Sequence, residues 1–190
     1  MKKNSNGIKI AIIGVILAVL VVGYFYYLSN KTKETKEEVV ESTLVQATLV
    51  RDLDKNYPPT PKEVVKYFNE LARCLYNEKY TDDEFNELAI KVMGLYDDEL
   101  NDNNPLIQYL EDLEKDISGF KALDQSISSY SLPASTEVEF FDEGDSSCAR
   151  LYCNYNIRKG TTKFYSDVVF ILRQDENKRW KILGWEESKN

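Results

Sequence analysis

Histidine is absent from all 190 residues. That absence removes Ser-His-Asp triads, Cys-His dyads, His-based metal sites and imidazole pH switching in one stroke. Cysteine is scarce, with only Cys74, Cys148 and Cys153, an odd number containing no Cys-x-x-Cys spacing. A zinc ribbon or a thioredoxin-type redox site is therefore excluded. In a strand Cys148 and Cys153 point to opposite faces and do not bridge locally. A bridge from Cys74 to one of them, with Cys153 the candidate, is open if the domain is exported. The alternative is three small thiols filling core or edge positions.

A basic surface is also lacking. The chain carries a net charge of −8, and setting aside Lys2, Lys3 and Lys9, the only charges in residues 1–28, leaves −11 on the rest. No basic stripe with interleaved aromatics occurs, so nucleic-acid binding is excluded, and so is peripheral attraction to an anionic lipid surface. The acids Asp97, Asp98, Glu99 and Asp102 lack the spaced Asp-x-Asp-x-Asp-Gly of a calcium loop and read as a solvated helix end. No metal or cofactor is implied, and no internal repeat or low-complexity segment is visible.

What the chain does have is an uncharged apolar run from Ile10 to Leu28. At about 1.5 Å per residue, a helix of that length just crosses a hydrocarbon core of about 30 Å. Tyr24, Phe25, Tyr26 and Tyr27 close it with rings suited to a membrane interface. A secretory signal peptide has a shorter apolar stretch and a small-x-small exit, whereas Val22-Gly23-Tyr24-Phe25 is bulky. The run reads as an uncleaved single-pass anchor behind a short basic cytoplasmic tail, residues 1–9. Lys31, Lys33 and Lys36 balance the lysines before the span. Orientation then rests on the ability of a large C-terminal domain to translocate after a start-of-chain anchor, which places this one outside the cell.

Residues 29–59 read as a charged tether followed by a helix carrying Val40, Leu44, Ala47 and then Val50 or Leu53, and ending before Tyr57-Pro58-Pro59. The remainder, 60–190, is long enough for one domain with a core. Thr60-Pro61-Lys62-Glu63 and Thr81-Asp82-Asp83-Glu84 are capping boxes, and Asn104-Pro105 opens a third helix. The first carries Val64, Val65, Phe68, Leu71, Ala72 and Leu75; the third carries Leu106, Leu110, Leu113, Ile117 and Phe120. After about Leu123 the period changes from 3.6 to 2. Strands are expected near 125–132, 137–143, 148–159, 163–173 and 179–186, separated by clusters such as Asp142-Glu143-Gly144-Asp145 and Lys159-Gly160-Thr161. Helices followed by an antiparallel meander define an α+β class.

That order resembles the cystatin/nuclear transport factor 2-like cone, in which three helices are enclosed by a curved antiparallel β-sheet. The closing segment Arg179-Trp180-Lys181-Ile182-Leu183-Gly184-Trp185-Glu186 resembles the superfamily's last strand. More narrowly, Arg51–Pro61 (RDLDKNYPPTP), Asn103-Asn104-Pro105, Tyr109-Leu110 and the Trp180–Trp185 close resemble an uncharacterised family of small bacterial proteins with an N-terminal membrane anchor. The resemblance implies a layout without an activity. The superfamily holds isomerases, dehydratases, ligand-binding modules and membrane-anchored assembly subunits, so fold alone selects none of them.

A ligand in such a fold would sit between sheet and helices. Tyr152, Tyr155, Asp167 and Trp185 are the candidate ligand-binding residues, and no residue is assigned a catalytic role. An isomerase-like enzyme would use Asp167 as base with Tyr152 or Tyr155 as donor, which requires a carboxylate in a dry pocket. An exposed ion pair between Asp167 and Arg173 is the plainer reading. The expectation is a non-enzymatic membrane-anchored module that binds a partner protein, another copy of itself or a small ligand at the bacterial cell envelope.

Overall fold

The computed structural model describes residues 43–188. The expected anchor over 10–28, the basic tail and most of the tether lie outside the described residues. Within them no helix is long and apolar enough to cross a membrane.

Five α-helices precede the sheet: α1 (Leu44–Leu49), α2 (Pro61–Asn77), α3 (Asp82–Met93), α4 (Asp98–Asp102) and α5 (Leu106–Ala122). Helix α1 is shorter than its apolar spacing predicts. Thr43 caps it, accepting from the Gln46 N–H, and this start turns Val45 and Thr48 inward while Val50 is 81% exposed. At α2 the cap is half of the expected box. Thr60 Oγ1 accepts from the Glu63 N–H at 3.2 Å, but the Glu63 carboxylate takes the Thr60 hydroxyl rather than its N–H. The box at α3 is complete, with Thr81 and Glu84 each receiving the other's N–H. Helix α4 is a turn of its own among acids read as one continuous solvated face; the Asp97 side chain caps it by accepting from the Glu99 N–H.

The strands are β1 (Gln125–Ser131), β2 (Glu139–Glu143), β3 (Ser146–Lys159), β4 (Thr162–Gln174) and β5 (Trp180–Glu187), each within two residues of the alternation in the sequence. They form one antiparallel sheet in the order β1-β3-β4-β5, with β2 paired to the first part of β3 and β1 to its last part. Two-residue loops close the β2–β3 and β3–β4 hairpins, and each puts glycine first: Gly144 at φ 60° and Gly160 at φ 56°. With only the first loop residue left-handed, these are the turns whose twist matches that of paired strands.

Helix α2 is the spine. It packs on β1, β3 and β5 and buries eight residues, among them Val64, Leu71 and Leu75. Opposite it, Ala149, Leu151, Cys153 and Tyr155 of β3 and Phe170 and Leu172 of β4 fill the helix-facing side of the sheet. Burying each large side chain contributes about 1.5–3 kcal/mol. Cys74, Cys148 and Cys153 are all buried free thiols, and the Cys74–Cys153 bridge is not formed. The Cys74 thiol donates to Thr48 Oγ1, and Cys153 Sγ accepts from the Asn69 amide.

The helical layer joins the sheet at Leu95–Asp97. Ile182 N–H donates to Leu95 O, and Asp97 N–H donates to Ile182 O, both at 2.8 Å. The Asp97 carboxylate, 7% exposed, is gripped by both ends of the Arg173 guanidinium, which also reaches Glu99. Asp97 is therefore a buried ion-pair partner and not a solvated acid. The pairing also corrects the expected Asp167–Arg173 contact: Asp167 lies opposite Asn154 and accepts its amide. Arg173→Met leaves the Asp97 charge buried without its partner and is expected to cost about 3 kcal/mol. A fall in the urea midpoint at unchanged slope would show it, and adding Asp97→Asn should recover part of the loss. A midpoint unmoved by Arg173→Met would contradict this account.

Candidate functional site: an aromatic cavity between helices and sheet

Along α2, residues spaced by four turn one face toward the outside of the helical layer. Phe68, Ala72, Leu75 and Tyr76 occupy that face, and they form the floor of a half-open cavity of about 380 Å³. Val92 of α3, Tyr96 of the Leu95–Asp97 junction and Leu100 of α4 close one end. Helix α5 supplies the outer wall through Tyr109, Asp112, Leu113 and Asp116, and β5 contributes Trp185.

The wall is aromatic. Phe68, Tyr96 and Trp185 pack in a triangle with centroids 5.6–6.4 Å apart and tilts of 39–48°, backed by Phe170 edge-on to Phe68 at 5.4 Å. Tyr109 meets Tyr96 edge-to-face at 6.0 Å. Such tilted and edge-on contacts set the positive rim of one ring against the negative face of the next. Polar atoms enter at few points. The Tyr96 and Tyr109 hydroxyls stand 3.5 Å apart, and the Tyr76 hydroxyl donates to Asp116 Oδ2. Burial pushes the hydroxyls of Tyr76, Tyr96 and Tyr109 above the ordinary tyrosine range, so all three remain neutral donors at physiological pH. Asp112 accepts from the Gln108 amide.

The sheet divides the four candidates from the sequence. Trp185 lines the cavity. Tyr155 is on the same side of the sheet but buried in the core beside Cys153, outside the cavity lining. Tyr152 and Asp167 lie on the opposite side, Tyr152 42% exposed across from Val169 and Asp167 next along β4 on that face. An acid–base pair of Asp167 with Tyr155 is thus not assembled, and Asp167 with Tyr152 faces outward rather than into a dry pocket. Phe68, which helical spacing puts in a core stripe, converges there with Tyr76, Tyr96, Tyr109, Asp112 and Asp116. Their signal was present as Phe68/Tyr76 eight apart on α2 and Tyr109/Asp112/Asp116 on one face of α5. Among the described residues no group of three or more carboxylates and thiols is placed to hold a metal ion.

The site thus defines an α+β domain with a ligand-sized aromatic cavity under its outer helix. The chain belongs to the family described as a domain of unknown function, DUF6715, which matches residues 1–185. No curated protein matches the chain.

Buried acids also set the response to alkali. Burial holds the Tyr67 hydroxyl, which donates to Thr48 O, at about 12 against 10.0, and the Cys153 thiol at about 11 against 9.0. Below pH 9.0 both are neutral whether the chain is folded or unfolded, and their contribution is fully present. As pH rises through these values the unfolded chain ionises first, so stability falls with each step. Chemical denaturation should therefore show a steady loss of stability from about pH 9 to 12. The tyrosinate absorbance of the buried rings should appear only with unfolding, and full titration of all tyrosines in a still-folded protein would refute this.

Proposed function

We propose that this chain is a membrane-anchored, non-enzymatic module whose α+β domain binds a small ligand in the cavity under α5, on the outer side of a cell membrane. The observation that carries the reading is the cavity itself: about 380 Å³, walled by five aromatic rings, with three tyrosine hydroxyls held neutral. This is the character of a small-molecule site, largely apolar with a few directed polar groups. The apolar run over 10–28 supports the tether. Helices packed on one side of an antiparallel sheet support the nuclear transport factor 2-like reading of the domain. No carboxylate of the lining is buried: Asp112 and Asp116 are both exposed on α5, so the cavity holds no acid of the kind an isomerase base requires.

The neutral dye N-phenyl-1-naphthylamine tests the cavity. Its fluorescence should rise on the full-length protein, and Ala72→Phe, which fills the floor, should abolish the rise while far-ultraviolet circular dichroism is retained. An equal rise with the variant would place the dye elsewhere and refute the cavity as the site. Location has its own check: in intact cells added protease should remove the domain, and survival of the domain until the cells are lysed would put it inside.

A further inference from the structure

We infer that the cavity is built for an organic cation, an alkylated ammonium group on a small apolar body that carries no acid of its own. The inference rests on the cavity reading above and names the chemistry of its ligand.

The first observation concerns which rings the chain's own cations cover. Arg51 lies over Tyr67, Lys121 over Tyr80, Arg150 over Phe141, and Arg179 and Lys181 over Tyr57, at 4.7–5.3 Å from the ring centroids. None of these rings belongs to the cavity. Phe68, Tyr76, Tyr96, Tyr109 and Trp185 carry no such cation among the described residues, and no lysine or arginine is in the lining. The largest group of rings in the domain is thus the one over which none of these cations lies. A cation within about 6 Å of a ring centroid is attracted to the negative face, most strongly for Trp and Tyr.

The second observation is the rim. Asp112 and Asp116 stand four apart on α5, so their charges sit one turn above another on the same face, an arrangement that destabilises a helix. Their recorded partners are neutral, the Gln108 amide for one and the Tyr76 hydroxyl for the other, and neither forms an ion pair among the described residues. Lys115 shares the adjoining surface depression with both acids but is outside the cavity lining, so the charge the cavity itself presents is negative: a neutral apolar ligand has no use for two carboxylates at the mouth, and an anion is repelled by them. A cation satisfies rings and rim at once. A quaternary ammonium fits best, because its weak hydration lets it leave water for an aromatic wall without a hydrogen-bond donor to satisfy. The same rim repels a phosphate, which separates a free ammonium compound from the phosphocholine headgroup of a lipid.

The test uses full-length protein and three probes: choline, its neutral carbon isostere 3,3-dimethyl-1-butanol, and phosphocholine. Binding is read by calorimetry and by the fluorescence of Trp185, one of only two tryptophans in the chain. Choline is expected to bind with a dissociation constant of roughly millimolar or tighter, at least about tenfold below that of either other probe. The double change Asp112→Asn/Asp116→Asn, which keeps shape and removes charge, should erase that preference. Equal binding of choline and 3,3-dimethyl-1-butanol overturns the cation while leaving the cavity as a ligand site. Tighter binding of phosphocholine than choline overturns the acid-free ligand in favour of a headgroup. Binding of no probe overturns the inference outright, and failure of the naphthylamine dye as well would take the cavity reading with it.

Discussion

The architecture depends on three residues, Leu95 to Asp97, where the helical layer is stitched to the last strand. Two 2.8 Å backbone bonds to Ile182 fix the register, and the Asp97–Arg173 pair reaches across β5 to lock it. One end of the cavity follows from this junction. It sets Tyr96 facing inward against Phe68 and Trp185, and it starts α4 through the same carboxylate that binds Arg173. A buried ion pair is seldom a strong net stabiliser, since desolvation consumes most of the attraction. Its value here is specificity: a sliding β5 would break the two bonds to Ile182 and withdraw Trp185 from the aromatic triangle.

A second set of contacts secures the far side of β5 and gives a physical role to the Arg51–Pro61 segment. Lys91 Nζ donates to Arg51 O, Arg179 donates to Asp54 O, and the Tyr57 hydroxyl donates to Trp180 O. Arg179 and Lys181 both lie over the Tyr57 ring, and Leu53 Cδ1 is 3.0 Å from where a Cβ on Gly94 would be. The segment is a strap from α1 to the sheet, and glycine at 94 lets it lie close. Burial pushes the Lys181 ammonium below its usual range, while its bond to Gly94 O and the Tyr57 face hold it in place. The Arg51–Pro61 stretch is therefore structural, and Trp185 is where the last strand meets the cavity.

The parts of the fold written in local chemistry were legible in the sequence. Alternation puts Ala149, Leu151, Cys153 and Tyr155 on one face of β3, and that face is the buried one; Phe164, Val168, Phe170 and Leu172 alternate with Tyr165, Val169 and Ile171 along β4, a two-sided apolar pattern that suits a strand with a neighbour on each edge. Capping residues marked the starts of α2 and α3. The site was legible only at Trp185. Phe68 and Tyr76 satisfy the same helical spacing as the core residues Leu71 and Leu75, and period alone does not say whether a stripe meets a neighbour or a void. Asp97 misled for a related reason: among neighbouring acids its burial depends on Arg173, 76 residues away, which no local pattern encodes.

The unequal packing of the two long helices explains why the opening is where it is. Both have 17 residues, yet α2 buries eight and α5 only Ile117. Around that single anchor, α5 meets the domain mostly through half-buried rings and leucines, with Leu106 and Ile107 left exposed at its first turn. Local opening is easiest where few apolar contacts must be broken, so the outer wall opens more easily than α2 does. A ligand touching Tyr109 on that wall and Phe68 and Trp185 on the fixed side would add contacts that exist only with α5 docked. Its binding energy would then appear as stability of the whole layer. The rigid junction at Leu95–Asp97 and the lightly held wall are complementary: one keeps half the aromatic surface preformed, and the other leaves it accessible.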